Sequence, residues 1–205
     1  MSTGKVAPLI KEFYPEYYSW NEYPADECIP IRKVKEQWGV LGNFYQTPLI
    51  VKGVEFVSSE QLFQMMKFTD RETLLSIYHS RGLPIKWAAK KGEKDRLCRE
   101  DWGRIIIDCM KFCLQIKYDQ CEEFRKTLNE TAGHYIVEDQ TNRKTLKKTG
   151  EVNPADSWGV VLTGDKYVGS NLLGRLLMEL RDKGELKYKL PKDIFDFINH
   201  LNSNI

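Results

Sequence analysis

The sequence predicts a mainly α-helical fold with a few short β-strands or hairpins, built as one large domain or as a domain carrying an extended arm. Three observations predict it. Apolar residues recur at helical spacing in separate runs: Trp102, Ile105, Ile106, Cys109, Phe112, Cys113 and Ile116; Cys121, Phe124 and Leu128; and Leu172, Leu173, Leu176, Leu177 and Leu180. Strand-like stretches, by contrast, are brief and punctuated by turn residues, as at Lys52-Gly53 within residues 49–56. With 205 residues, 41% hydrophobic and 29% charged, the chain can bury a substantial core and does not read as disordered.

Residues 1–37 read as an irregular, aromatic-rich N-terminal arm, in which Phe13, Tyr14, Tyr17, Tyr18, Trp20 and Tyr23 mix with Pro15, Pro24 and Pro30. So many rings are costly to leave in water, so the arm is expected to pack on the domain, with a partner surface as the alternative. Residues 29–34 fit a short strand. Gly39 and Gly42 allow the backbone of residues 38–45 a tight, close-approaching path. Two short strands over residues 49–56 lead to Ser58 or Ser59, candidate N-caps of a helix whose first turn holds Glu60, in keeping with the helix dipole. A helix follows near residues 72–79 and breaks at Gly82-Leu83-Pro84.

Residues 86–99 carry Lys86, Lys90, Lys91, Lys94, Arg96 and Arg99 against only Glu93 and Asp95. Such a run is either a solvated face or a phosphate-facing patch. Two helices then lead to Gly133. The polar residues 139–154, with Arg143, Lys144, Lys147 and Lys148, read as a long surface loop or hairpin. Asp156-Ser157-Trp158-Gly159 opens a turn-rich segment that ends at Gly169-Ser170-Asn171. The leucine-rich helix after it closes at Gly184, and a last amphipathic helix uses Ile194, Phe195, Phe197, Ile198 and Leu201.

A net charge of +2 gives no global drive towards nucleic acid, so any anion binding must be local. No run of roughly 18 apolar residues and no secretory leader is present, which points to a cytoplasmic or nuclear protein without a membrane partner. The five cysteines lack paired spacing and are expected to be reduced. His79, His134 and His200 are scattered without ligand spacing, so neither a metal nor another cofactor is expected.

One stretch stands apart. If residues 59–68 are helical, Glu60, Gln64 and Lys67 fall at i, i+4 and i+7 on one stripe, while Leu62, Phe63, Met65, Met66 and Phe68 cover most of the circumference. A helix apolar nearly all round is buried, so the polar stripe faces a cavity or a polar network. Periodicity by itself does not separate an active site from a structural ionic network.

Five motifs in register add to this: Gly42-Asn43-Phe44, residues 59–68, Arg99-Glu100-Asp101-Trp102, Asp156-Ser157-Trp158-Gly159, and residues 169–181. Together they resemble the NADAR family, also called YbiA-like, over about residues 38–181, within an expected domain of residues 38–184 that leaves residues 185–205 as a C-terminal helix packed on it. The resemblance implies a compact helical domain that hydrolyses N-glycosidic bonds to ribose. Its substrates would be ADP-ribose attached to the amino group of guanine, in nucleic acid or nucleotide, or ribosylamino-pyrimidine phosphates of riboflavin biosynthesis. By position, Glu60, Lys67 and Trp102 match the family's functional residues, and Asn43, Phe44, Asp156, Trp158 and Asn171 match motif positions around its pocket. Gly42 replaces the usual serine, the Asp-x-x-Trp-Gly pattern is shortened by one residue, and residues 139–154 read as an insertion.

That chemistry suits these residue types. An amine on an anomeric carbon ring-opens to an imine when the ring oxygen is protonated; the Lys67 amine can then attack, expel the base and hold the sugar as a Schiff base until water releases it. Apolar neighbours such as Phe63 and Phe68 favour the neutral, nucleophilic amine. Glu60 is the candidate acid and base, about 10 Å along the helix from Lys67. Gln64 is a supporting contact. Trp102 or Trp158 is expected to stack on the leaving base. Backbone amides of residues 169–171, among them Gly169 and Asn171, or the basic residues 86–99 are expected to meet a diphosphate. ADP-ribose is then the product ligand. A non-catalytic ADP-ribose or NAD binding module is the reading from another class.

Overall fold

The computed structural model describes residues 7–202, so the first six residues of the expected arm and the last three of the expected C-terminal helix lie outside the described residues. In chain order come α1 (Ala7–Phe13), β1 (Asn21–Pro24), β2 (Cys28–Ile31), β3 (Leu49–Val51), β4 (Val54–Phe56), α2 (Ser59–Met65), α3 (Arg71–Tyr78), α4 (Leu83–Lys94) and α5 (Trp102–Gln120). They are followed by α6 (Glu122–Glu130), β5 (Tyr135–Glu138), α7 (Thr141–Lys144), β6 (Val161–Thr163), β7 (Lys166–Gly169), α8 (Leu172–Lys183) and α9 (Asn199–Asn202). Helices dominate and the strands are short, as the sequence predicts. The chain sorts into two compact units, residues 7–42 with Glu123–Leu186 and Asn43–Glu122 with residues 187–202.

In the first unit β7 pairs antiparallel with β1 and β6, and β2 pairs parallel with β5, Ile29 lying opposite Ile136. The stretch expected as an irregular arm therefore holds α1 and two strands, and Tyr14, Tyr17 and Tyr23 are buried. Tyr23 packs with Val137, Val160 and Tyr167. The strand expected over residues 29–34 runs Cys28–Ile31 instead, because beyond Ile31 the chain bends and the Glu36 amide turns back to the Lys33 carbonyl. α8 lays its five leucines inward and packs on β5 so closely that a Cβ on Gly174 would stand 2.0 Å from the Ile136 carbonyl oxygen. It stops at Gly184, whose φ of +73° suits glycine. Residues 139–154 hold the short α7 and a bridge between Thr145 and Val152.

In the second unit β3 and β4 form a hairpin whose turn residues Lys52 and Gly53 both have positive φ, the geometry that matches strand twist. The Ser58 hydroxyl oxygen accepts from the Gln61 amide and caps α2. All seven residues of α2 are buried. The polar Gln61 is affordable there because its side-chain NH2 donates to the carbonyls of Ile77, Tyr78 and Ser80, closing the end of α3. Asp70 caps the start of α3, and Gly82-Leu83-Pro84 opens α4, with proline in its first turn.

Two expectations are corrected here. α2 ends at Met65, and the amides of Lys67 and Phe68 bond the carbonyls of Gln64 and Met65, a tighter turn that carries Lys67 off the helical stripe. Phe68 is drawn into a bridge with Cys98, and the Lys67 carbonyl accepts from the Arg99 amide at 2.9 Å. The C-terminal stretch is not one long amphipathic helix but a 3-10 turn (Asp196–Ile198) and the short α9. A regular helix would point Phe195 and Phe197 to opposite sides. Here Phe195 meets Phe112 at 5.2 Å and Phe197 meets Phe56 at 6.1 Å.

Candidate active site

Six of the expected site residues, Asn43, Phe44, Glu60, Gln64, Lys67 and Trp102, fall in the second unit around α2. Asn43 anchors the helix start: its carbonyl accepts from the Glu60 amide at 2.9 Å, and its side-chain oxygen accepts from the Ser59 hydroxyl at 3.1 Å. These bonds satisfy groups that a helix N-terminus leaves open, and they fix the direction in which Glu60 leaves the backbone. The Glu60 side chain is only 6% exposed. A carboxylate so buried requires partners, and it has them: Gln64 Nε2 donates to Oε1 at 3.0 Å, and Lys86 Nζ lies 3.8 Å away. The Lys86 ammonium also stands 4.8 Å from the centre of the Phe44 ring. Gln64 Oε1 is buried and accepts no hydrogen bond from the described residues.

Just past α2, Lys67 is mostly enclosed. Its amine is 2.5 Å from Glu93 Oε1, 5.6 Å from the centre of the Trp102 ring and 5.8 Å from that of Phe68. Trp102 is itself buried and packs against Phe63 at 5.2 Å. The expectation that residues 86–99 form one solvated face or one phosphate patch is therefore too simple. α4 turns Lys86 and Glu93 towards α2 and leaves Trp87, Lys90, Lys91 and Lys94 exposed. The sequence offers Lys86 only as one of the basic residues expected at a diphosphate, and does not single out Glu93. The available signal was their seven-residue spacing, which repeats that of Glu60 and Lys67 with the charges reversed.

Behind Glu60 stands the Cys113 thiol, pushed well up by burial and further by the charges of Cys109 and Glu60, so this wall offers no thiolate. None of the five cysteines forms a disulfide. Among the described residues no group of histidine, cysteine and carboxylate side chains is placed to hold a metal ion, and no helix is long and apolar enough to cross a membrane.

The other four expected residues, Asp156, Trp158, Gly169 and Asn171, gather in the first unit. Asp156 Oδ1 accepts from the Trp158 amide at 3.0 Å and from Gln140 Nε2 at 2.6 Å, bending the chain at the half-buried Trp158. Gly169 passes so close to this turn that a Cβ would stand 2.4 Å from the Gly159 carbonyl oxygen. Asn171 is fully buried in the left-handed region, its amide clamping β5 by donating to the Ile136 carbonyl and accepting from the Glu138 amide. The amides of Asn171, Leu172 and Leu173 donate to the carbonyls of Gly159, Ser157 and Trp158. Of the backbone amides of residues 169–171 expected to meet a diphosphate, that of Asn171 is thus already engaged.

Residues 31–184 match the family model described as the NADAR domain. The chain belongs to the NADAR family. This NADAR chain is similar to the N-glycosidase YbiA of Escherichia coli, 28% identical over 158 residues that make up 77% of this chain and 89% of that protein. It is also similar to a riboflavin biosynthesis protein of Vibrio vulnificus, 27% identical over 164 residues, 80% of this chain but 40% of that one. The NMR structure of E. coli YbiA resembles the fold with a TM-score of 0.59 at 30% identity, covering 77% of this chain and 84% of that one. The NADAR match takes in all ten site residues expected from the sequence.

Proposed function

We propose that this protein is an N-glycosidase that hydrolyses the bond between a ribose and an exocyclic amine of a base, removing ADP-ribose from guanine in nucleic acid or nucleotide. The observation that carries this reading is the enclosed Lys67 amine, held between the Glu93 carboxylate and the Trp102 ring seven residues beyond the buried Glu60. Lys67 is the nucleophile that forms the Schiff base, and Glu60 moves protons between ring oxygen, leaving amine and water. Gln64 orients Glu60, and Asn43 and Phe44 set its surroundings. Trp102, turned to Lys67 and Phe63 within the same unit, is the ring assigned to the leaving base. The name of the E. coli relative supports N-glycosidic chemistry. The exposed Lys90, Lys91 and Lys94 beside Trp87 support a polyanionic substrate over a small monophosphate.

The Vibrio relative favours a second reading, removal of ribose phosphate from a ribosylamino-pyrimidine. Incubation with a guanine-ADP-ribosylated oligonucleotide, and in parallel with the pyrimidine phosphate, separates the two by which sugar is released. Release of ADP-ribose by the wild-type chain and its loss in Lys67→Ala is the expected result. No turnover of the oligonucleotide at micromolar enzyme removes the first reading, and unchanged affinity with no hydrolysis of either compound leaves only a binding module.

A further inference from the structure

We infer that Glu93 is a positioning residue for the reaction assigned to Lys67: it holds the amine in place and takes its proton when the sugar arrives. The inference rests on the proposed Schiff-base reading. Three observations carry it. First, Glu93 is the sole acidic side chain within α4, among Lys86, Lys90, Lys91 and Lys94, and it faces Lys67 while Lys90, Lys91 and Lys94 are exposed. Second, the approach is built in. Gly92, beside it, is buried, and a Cβ there would come within 2.7 Å of Phe68 Cε1 and 2.8 Å of Thr73 Cγ2, so any larger residue would push α4 from the turn that bears Lys67. Third, Glu93 is the more open partner, its side chain 36% exposed against 13% for Lys67. A proton passed to it has a way out to water.

The charged and titratable groups around Lys67 narrow the choice. α4 contributes Glu93. The segment after α4 contributes Cys98, whose thiol is pushed up chiefly by burial, with Lys67 pulling it down and Glu93 and Asp70 adding to the rise; it therefore stays protonated near neutral pH and does not act as the acceptor. Asp70 caps α3 through the Thr73 amide. α5 offers the Trp102 ring, whose indole nitrogen is a donor only and cannot accept the proton. Glu60 of α2 is bonded to Gln64 and Lys86.

The step balances as follows. The Lys67 ammonium gives one proton to the Glu93 carboxylate, leaving a neutral amine and a carboxylic acid. Glu60 protonates the ring oxygen as the ring C–O bond breaks and the base nitrogen lone pair forms an iminium. The Lys67 amine lone pair adds to that carbon as the iminium π pair returns to the base nitrogen. The proton then surplus on the lysine nitrogen passes to the base nitrogen, and the bond from carbon to the base amine breaks, leaving the Schiff base. After water has attacked the Schiff base and the lysine departs as an amine, Glu93 returns the proton. No oxidant or reductant takes part.

The experiment is borohydride trapping of the sugar on Lys67, followed by mass spectrometry from pH 6 to 9, in the wild-type chain and in Glu93→Gln, Glu93→Asp and Glu93→Ala. Glu93→Gln keeps an oxygen that accepts from Lys67 but cannot take its proton. We expect its adduct to form about 100-fold more slowly at neutral pH, within the range of a lost proton acceptor, with the deficit shrinking as pH rises and hydroxide takes over. Glu93→Asp retains part of the rate, and added formate partly rescues Glu93→Ala, which a purely structural role would not give. Glu93→Gln trapping within threefold of wild type, with the same pH profile, overturns this inference and leaves the Schiff-base reading intact. A wild-type chain that turns over substrate without any adduct on Lys67 overturns both.

Discussion

Glu60 and Lys67, on and just past α2, are each met by an opposite charge from α4, Lys86 at 3.8 Å and Glu93 at 2.5 Å. The sequence places them on one stripe of one helix; the folded chain keeps Glu60 on α2 and moves Lys67 into the turn beyond it, where Phe68 bridges to Cys98. The reason is local competition. The last amides of α2 have two sets of partners, and bonding three residues back frees Phe68 to pair across to the next segment. Lys86 was hidden for a different reason: nothing in a lysine-rich run says which lysine turns inward. Its nearness to the buried Glu60 gives a prediction at this scale. Glu60→Gln removes the proton carrier but keeps a side chain able to bond Gln64, so the turnover number should fall about 100-fold or more while the protein stays folded. Steady-state kinetics with a parallel melting curve checks it, and equal activity removes Glu60 from its role.

Most elements followed from pattern. Helical spacing marks α5, α6 and α8, the Lys52-Gly53 turn marks the β3–β4 hairpin, and Ser58 marks the start of α2. Elements whose existence depends on a distant partner were missed. β1 forms because β7 offers it an edge, and residues 29–34 shorten to β2 because β5 matches four residues of it. α4 is the element on which most depends, since it meets α2 through Lys86 with Glu60 and the turn beyond α2 through Glu93 with Lys67. Gly92 allows that meeting. Gly92→Ala should cost about 1–3 kcal/mol from overpacking against Phe68 and Thr73, and it should lower turnover further than its stability loss explains because it moves Glu93. Urea denaturation alongside activity at low temperature tests this; a destabilised but fully active variant would show that α4 does not need its close seat.

At the scale of the whole chain, each compact unit is assembled from two separated segments. The second unit takes residues 187–202 back onto the hairpin and α5, through Phe197 against Phe56, Phe195 against Phe112, and Asp193 with Arg99 at 3.1 Å. Phe197 is 4% exposed, so Phe197→Ala should cost about 3–5 kcal/mol. Chemical denaturation measures it, and a loss below 1 kcal/mol would mean that the C-terminal segment covers this core only loosely. By itself the sequence determined the helical class, the hairpin, the main caps and the motif set of the NADAR family, because these depend on spacing and side-chain chemistry along one stretch of chain. The tertiary structure decided which charges face one another: that Lys86 and Glu93 leave the basic run for α2, that Lys67 leaves the helical stripe, and that the amides at the start of α8 are already bonded. Those outcomes depend on how closely two segments approach, and no residue carries that information alone.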